Sequence, residues 1–158
     1  MNATYIAVVG GSTAEADVCL AAEGVGRELA RCGAVLVCGG LGGVMEAACR
    51  GAKAEGGQTV GILPGESRNA ANPWVDVALP TGLGEGRNLL VVRASDALVA
   101  VGGEFGTLSE IALALRMGKP VVGVGTWELA RAGEPVEAIV RVDDPFAAAR
   151  TAIELARR

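Results

Sequence analysis

The chain has 158 residues, a net charge of −4 and no histidine, which excludes Ser-His-Asp and Cys-His catalysis and every His-ligated metal site. Its length and its 51% of apolar residues fit one domain, spanning 1–158, with a core large enough to need no disulfide or metal staple. No uncharged stretch exceeds 14 residues, short of the roughly 17–25 that a membrane span requires. The start also lacks the basic residues of a signal peptide, so the expectation is a soluble cytoplasmic protein with no membrane partner. The acidic balance argues against nucleic acid.

In chain order, short apolar runs alternate with segments of helical spacing. The runs Tyr5–Val9, Ala34–Cys38, Val60–Leu63, Ala97–Val101 and Val121–Val124 are rich in valine or isoleucine, as strands buried on both faces of a parallel sheet are. Glu15–Cys32 places Val18, Ala22, Val25, Leu29 and Cys32 on one helical face, and Gly33 supplies a stop. Val44–Glu55, Glu85–Ala94 and Leu108–Met117 read as three further helices. An extended piece is predicted at Trp74–Leu79, a strand at Val136–Val142 and a last helix at Pro145–Arg157, with Asp144 as its N-cap. Strand–helix alternation of this kind predicts an α/β fold: a single doubly wound Rossmann-like domain with a mostly parallel sheet and helices on both faces.

The 24 glycines are informative by position. Three clusters follow predicted strands directly: Gly10-Gly11-Ser12, Gly39-Gly40-Leu41-Gly42-Gly43 and Gly102-Gly103-Glu104-Phe105-Gly106-Thr107. In an open parallel sheet these turns share the carboxyl edge of the strands, where backbone N–H groups and helix N-termini attract anions. Glycines that merely permit tight turns are the structural alternative. The sole lysines, Lys53 and Lys119, follow no Walker-type loop, which excludes P-loop nucleotide hydrolysis. The first strand lacks G-x-G-x-x-G and the second ends without the acidic residue of a dinucleotide site. Cys19, Cys32, Cys38 and Cys49 form no C-x-x-C pair and read as reduced thiols. Thr107-x-x-Glu110 and Ser12-x-x-Glu15 both have capping-box spacing. Trp74 and Trp127 read as core or interface anchors.

Cys38-Gly39-Gly40-Leu41-Gly42-Gly43-Val44-Met45 resembles the first signature of the LOG-like proteins, with Cys38 in place of its first glycine. Gly102-Gly103-Glu104-Phe105-Gly106-Thr107-Leu108-Ser109-Glu110 resembles their P-G-G-x-G-T-x-x-E signature, Gly11-Ser12 their first loop, and Arg87 their active-site arginine. Within that superfamily the chain is most similar to the short bacterial branch that includes molybdenum-cofactor carrier proteins, through Ala71-Asn72, Thr81-Gly82 and Gly86-Arg87-Asn88. It departs from the hydrolases of the family at Asn88 (lysine there), Gly102 (proline) and Glu104 (glycine).

The resemblance implies a binding or carrier protein for a phosphorylated small molecule, a nucleotide or the molybdenum cofactor. The implied ligand-binding residues are Gly11, Ser12, Gly39, Gly40, Gly43, Met45, Arg87, Asn88, Gly103, Gly106, Thr107 and Glu110, with no metal ligand and no required cofactor. The alternative is a nucleoside 5′-monophosphate phosphoribohydrolase with Arg87 and Glu110 as catalytic residues, and a third reading is a structural scaffold without ligand. On the hydrolase reading Glu110 works on the bond being cleaved; on the local reading it caps a helix. Leu89, Leu90, Val92, Ile111, Leu113 and Leu115 exceed what one sheet face needs covered, and a homodimer or higher homo-oligomer is expected.

Overall fold

The computed structural model describes residues 2–158. Nine strands appear in chain order: β1 (Tyr5–Gly10), β2 (Val35–Cys38), β3 (Gln58–Leu63), β4 (Val77–Pro80), β5 (Ala97–Val101), β6 (Val121–Val124), β7 (Leu129–Arg131), β8 (Glu134–Val136) and β9 (Val140–Arg141). Seven of them form one parallel sheet in the order β4-β3-β2-β1-β5-β6-β9. The chain works outward from β1 to β4, then returns to lay β5 beside β1. That reversal opens a crevice above the carboxyl ends of β1 and β5, where ligands of open α/β sheets bind. The fold is the expected Rossmann-like α/β arrangement.

Five helices cover the sheet: α1 (Ala16–Arg31), α2 (Val44–Ala54), α3 (Arg87–Arg93), α4 (Phe105–Arg116) and α5 (Pro145–Ala156). Alternation along each strand divides the core between the two faces. Ile6 and Val8 of β1 pack with Val25 and Leu29 of α1, Val44 and Cys49 of α2, and Ile153 of α5. Ala7 and Val9 point the other way, onto Val91 and Val92 of α3 and Ile111 and Ala114 of α4. Helices α1 and α2 approach closely because glycine sits at the crossing. A Cβ on Gly26 would lie 1.9 Å from the Ala48 carbonyl oxygen, and one on Gly51 would lie 2.1 Å from that of Glu23.

Several expectations need correction. Helix α1 starts at Ala16 behind Glu15, whose side chain makes no capping bond, so Ser12-x-x-Glu15 is not a capping box. The predicted strand Val136–Val142 divides instead: Glu134–Val136 pairs antiparallel with Leu129–Arg131 as a hairpin, and Val140–Arg141 alone joins the sheet. Ala132 with φ of +50° and Gly133 with φ of +85° make a turn that favours the hairpin over one continuous strand. Val92 and Ile111 are core residues, and Leu113 and Leu115 pack against them, which leaves Leu89 and Leu90 on the surface. Asp144 does cap α5, accepting from the Ala147 N–H at 2.8 Å. The four cysteines are free, with Cys38 and Cys49 buried. No helix among the described residues is long and apolar enough to cross a membrane.

Candidate functional site

The turn after β1 and the turn after β2 are built against each other. Gly11 gives its carbonyl to the Val44 N–H at the start of α2, 3.0 Å away. Gly43 precedes that residue with φ of +61°, and a Cβ there would stand 2.2 Å from the Gly11 oxygen. Any side chain at Gly43 would therefore force the two loops apart. Asn72 holds the second loop from outside, its N–H reaching the Gly40 carbonyl and its side-chain amide the Leu41 carbonyl, both at 2.9 Å. The third loop is fixed by Thr126, which donates to the Gly102 carbonyl, and by the Trp127 indole, which donates to the Glu104 carbonyl.

Between these loops and α3 lies a cleft of about 350 Å³, within the range of small-molecule sites. Of the residues expected at the site, Gly11, Ser12, Met45, Arg87, Asn88, Gly106, Thr107 and Glu110 line it. Gly39, Gly40, Gly43 and Gly103 do not. Their work is to let other parts approach: a Cβ on Gly39 would meet the Arg87 guanidinium at 2.5 Å and the Met45 sulfur at 2.8 Å, and one on Gly103 would meet the Thr107 side chain at 2.4 Å. Gly106 is different again. It belongs to the first turn of α4, and a Cβ there would meet nothing within 4 Å, so it leaves space and does not make a turn.

Arg87 begins α3 and reaches across the cleft floor. Its Nη1 donates to Asn88 Oδ1, its Nη2 approaches the Gly39 carbonyl at 3.5 Å, and its buried Nε has no partner. Asn88 in turn donates to Ser109 at 3.3 Å, and Ser109 donates to the Gly106 carbonyl at 2.6 Å. This chain of bonds ties α3 to the first turn of α4. A buried guanidinium nitrogen without an acceptor is costly, and an anion beside the guanidinium relieves that cost.

Glu110 lies opposite, 7% exposed. Helix α4 starts at Phe105 with Glu104 as N-cap, so Thr107 is an interior residue and the expected capping box with Glu110 does not exist. The Glu110 carboxyl bonds to no described donor. Burial pushes its pKa up to about 7, against the pull of the Arg87 charge. Glu104 and Glu85 also line the cleft, both exposed, leaving Arg87 as its sole cationic side chain. Beneath the second loop, Cys38 and Cys49 sulfurs lie 3.5 Å apart, and the Gly40 N–H donates to Cys38. The Cys49 contact lowers the Cys38 pKa and raises that of Cys49.

Sequence reasoning missed Thr13, Pro64, Gly84 and Glu85 in the lining. Pro64 follows a predicted strand on the same sheet edge and was findable by the rule that exposed the glycine turns. A larger hollow of about 670 Å³ lies beneath the β7–β8 hairpin, between Trp127 and Arg141. None of the glycine loops reaches it. Among the described residues no cluster of His, Cys, Asp and Glu could hold a metal ion.

Several known proteins share this arrangement. The structure of the molybdenum cofactor binding protein of Rippkaea orientalis superposes with a TM-score of 0.88 at 35% identity, covering 98% of this chain and 97% of that one. The molybdenum cofactor carrier protein of Chlamydomonas reinhardtii does so with a TM-score of 0.83 at 32% identity, over 99% of this chain and 100% of its own. An uncharacterised protein of Archaeoglobus fulgidus is 44% identical over 124 residues, 78% of this chain and 82% of that relative. The SLOG cluster4 family model matches residues 3–149. With the Rossmann-like sheet and glycine-loop cleft, that match over nearly the whole chain identifies this protein as a member of the SLOG cluster4 family.

Proposed function

We propose that this protein binds, and carries without altering, a phosphorylated small molecule in the cleft between the glycine loops and α3, with the molybdenum cofactor as the favoured ligand. The observation that carries this reading is that Arg87, whose buried Nε has no partner, lines a cleft of small-molecule size. Backbone N–H groups at the start of α4 add the partial positive charge of a helix N-terminus. The residues present fit the cofactor's two chemical ends. Arg87 and the α4 N-terminus suit its phosphate, while Glu104 and Glu85 accept hydrogen bonds from the amino and N–H groups of a pterin. A molybdenum atom in such a ligand is cargo, held by the pterin's own sulfur atoms. The likeness to the Rippkaea and Chlamydomonas proteins supports the same choice.

The test is reconstitution with the molybdenum cofactor, followed by the ligand's absorbance and by metal analysis after gel filtration. Wild type should retain it. Arg87→Ala should lose the phosphate contact, and Gly106→Val should fill the cleft while α4 still forms, because its Cβ meets nothing. Retention by both variants would refute the site.

A second reading, hydrolysis of a nucleoside 5′-monophosphate, draws support from Glu110, whose pKa near 7 suits acid–base work. Release of ribose 5-phosphate from AMP by wild type would decide for it. On either reading, the exposed Leu83, Leu89 and Leu90 beside the cleft are the surface we assign to a homodimer contact.

A further inference from the structure

Glu110 lines the cleft, is 7% exposed, and accepts no hydrogen bond from any described residue. A buried carboxylate ordinarily recruits donors, because desolvation penalises its charged form. Here the compensation is the charge of Arg87 alone. Arg87 is itself committed to Asn88 and, more weakly, to the Gly39 carbonyl, with Nε left over. One guanidinium thus serves a buried carboxylate and any incoming anion.

The titratable groups around this pair are few. Helix α4 packs on α3, β1, β5 and β6. The three strands contribute Tyr5 alone as a titratable residue, at the opposite end of β1 from the glycine turn. On α3 the second charge, Arg93, closes the far end of the helix. Glu85 and Glu104 line the cleft from exposed positions. The Cys38 thiol is buried and feels both Arg87 and Glu110.

We propose that anion binding in this cleft is coupled to proton uptake by Glu110: a dianionic phosphoryl group settles beside Arg87 with Glu110 protonated, and leaves as Glu110 ionises. The proposal rests on the phosphate-ligand reading above. Two negative charges competing for one buried guanidinium repel each other, and the weaker acid takes a proton from solvent. No bond of the ligand breaks. Because burial already holds Glu110 near 7, a bound anion moves its titration above neutrality, so loading and release respond to small pH changes.

Sulfate is the suitable probe, being a dianion throughout the neutral range with no titration of its own. Its binding is measured by isothermal titration calorimetry from about pH 6 to 8.5, in two buffers of different ionisation enthalpy, for wild type and Glu110→Gln. Wild type should take up a fraction of a proton approaching one, and its affinity should fall by up to about tenfold per pH unit above 7. Glu110→Gln should bind without proton uptake and without that slope. Wild-type binding with no proton uptake, or with release, overturns the coupling and leaves the phosphate site standing. The same holds if Glu110→Gln keeps the slope. Absence of sulfate binding at every pH overturns the phosphate site and the coupling together.

Discussion

Replacing Glu110 by glutamine asks whether the fold tolerates a carboxylate where it has placed one. In the native state burial raises the pKa from 4.5 to about 7; in the unfolded chain the group returns to its ordinary value. That difference of about 2.5 corresponds to about 3 kcal/mol, at roughly 1.4 kcal/mol per pKa unit. Because the native pKa is the higher one, the native state binds the proton more tightly. The stabilising contribution is complete below pH 4.5 and is lost as pH rises through about 7. Above that, wild type carries a desolvated carboxylate that glutamine, of the same shape, avoids. Urea unfolding of both proteins at pH 5 and pH 8.5 measures the difference. Glu110→Gln should gain about 2–3 kcal/mol on wild type between the two pH values. Had Glu110 been a helix cap, glutamine, which serves in the same position, would have left the two stability curves nearly parallel. Parallel stability curves would refute the claim that Glu110 is a desolvated, unpartnered acid.

Two further substitutions test how the cleft is held. Gly43→Ala combines a φ of +61° with a Cβ 2.2 Å from the Gly11 carbonyl, and should cost at least about 2 kcal/mol in urea unfolding; a neutral effect would mean the loops are not packed as described. Lys119 donates from Nζ to the carbonyls of Val92, Arg93 and Ser95, where α3 ends. Lys119→Met should lose about 1–3 kcal/mol and raise amide hydrogen exchange in α3, and unchanged exchange there would refute a capping role.

The parallel sheet and its helices were legible because burial on both faces leaves a direct signature. Each central strand is a valine-rich run, and α1, α2 and α4 each end just before a glycine. The hairpin was not legible, since Glu134-Pro135-Val136 has neither the length nor the alternation of a strand, and its pairing depends on the turn at Ala132 and Gly133. In the site, the location at the sheet edge followed from glycine positions. The division of labour among those glycines did not. Gly43, Gly103 and Gly106 look alike in sequence, yet two take positive φ and one is helical. The start of α4 was misplaced for a related reason: Phe105 and Gly106 are poor helix formers by propensity, and the tertiary setting of the third loop overrides that preference. With the start moved back to Phe105, Thr107 enters the helix and Glu110 is freed from capping.

That freed carboxyl bears on the choice between carriage and hydrolysis. Cleaving an N-glycosidic bond builds positive charge on the ribose, and a carboxylate stabilises that charge only when it is ionised. In this cleft, ionisation is opposed by burial, since Glu110 sits near 7 even with Arg87 beside it. On the coupling proposed above, a bound phosphoryl group opposes it further, so the loaded cleft holds a neutral acid at physiological pH. A neutral Glu110 donates a hydrogen bond to the ligand and lacks the charge that would stabilise an oxocarbenium ion. Asn88 reinforces this state: it draws the Arg87 Nη1 toward itself and, through Ser109, toward α4, adding no second cation that would lower the carboxyl's pKa. A loaded site with its acid protonated and its one guanidinium engaged with phosphate suits retention of a ligand. Any ribose 5-phosphate release from AMP should therefore rise with pH above 7 even as affinity falls, opposite trends in one titration. A rate that fell in step with affinity over that range would refute the assignment of a neutral Glu110 to the loaded state.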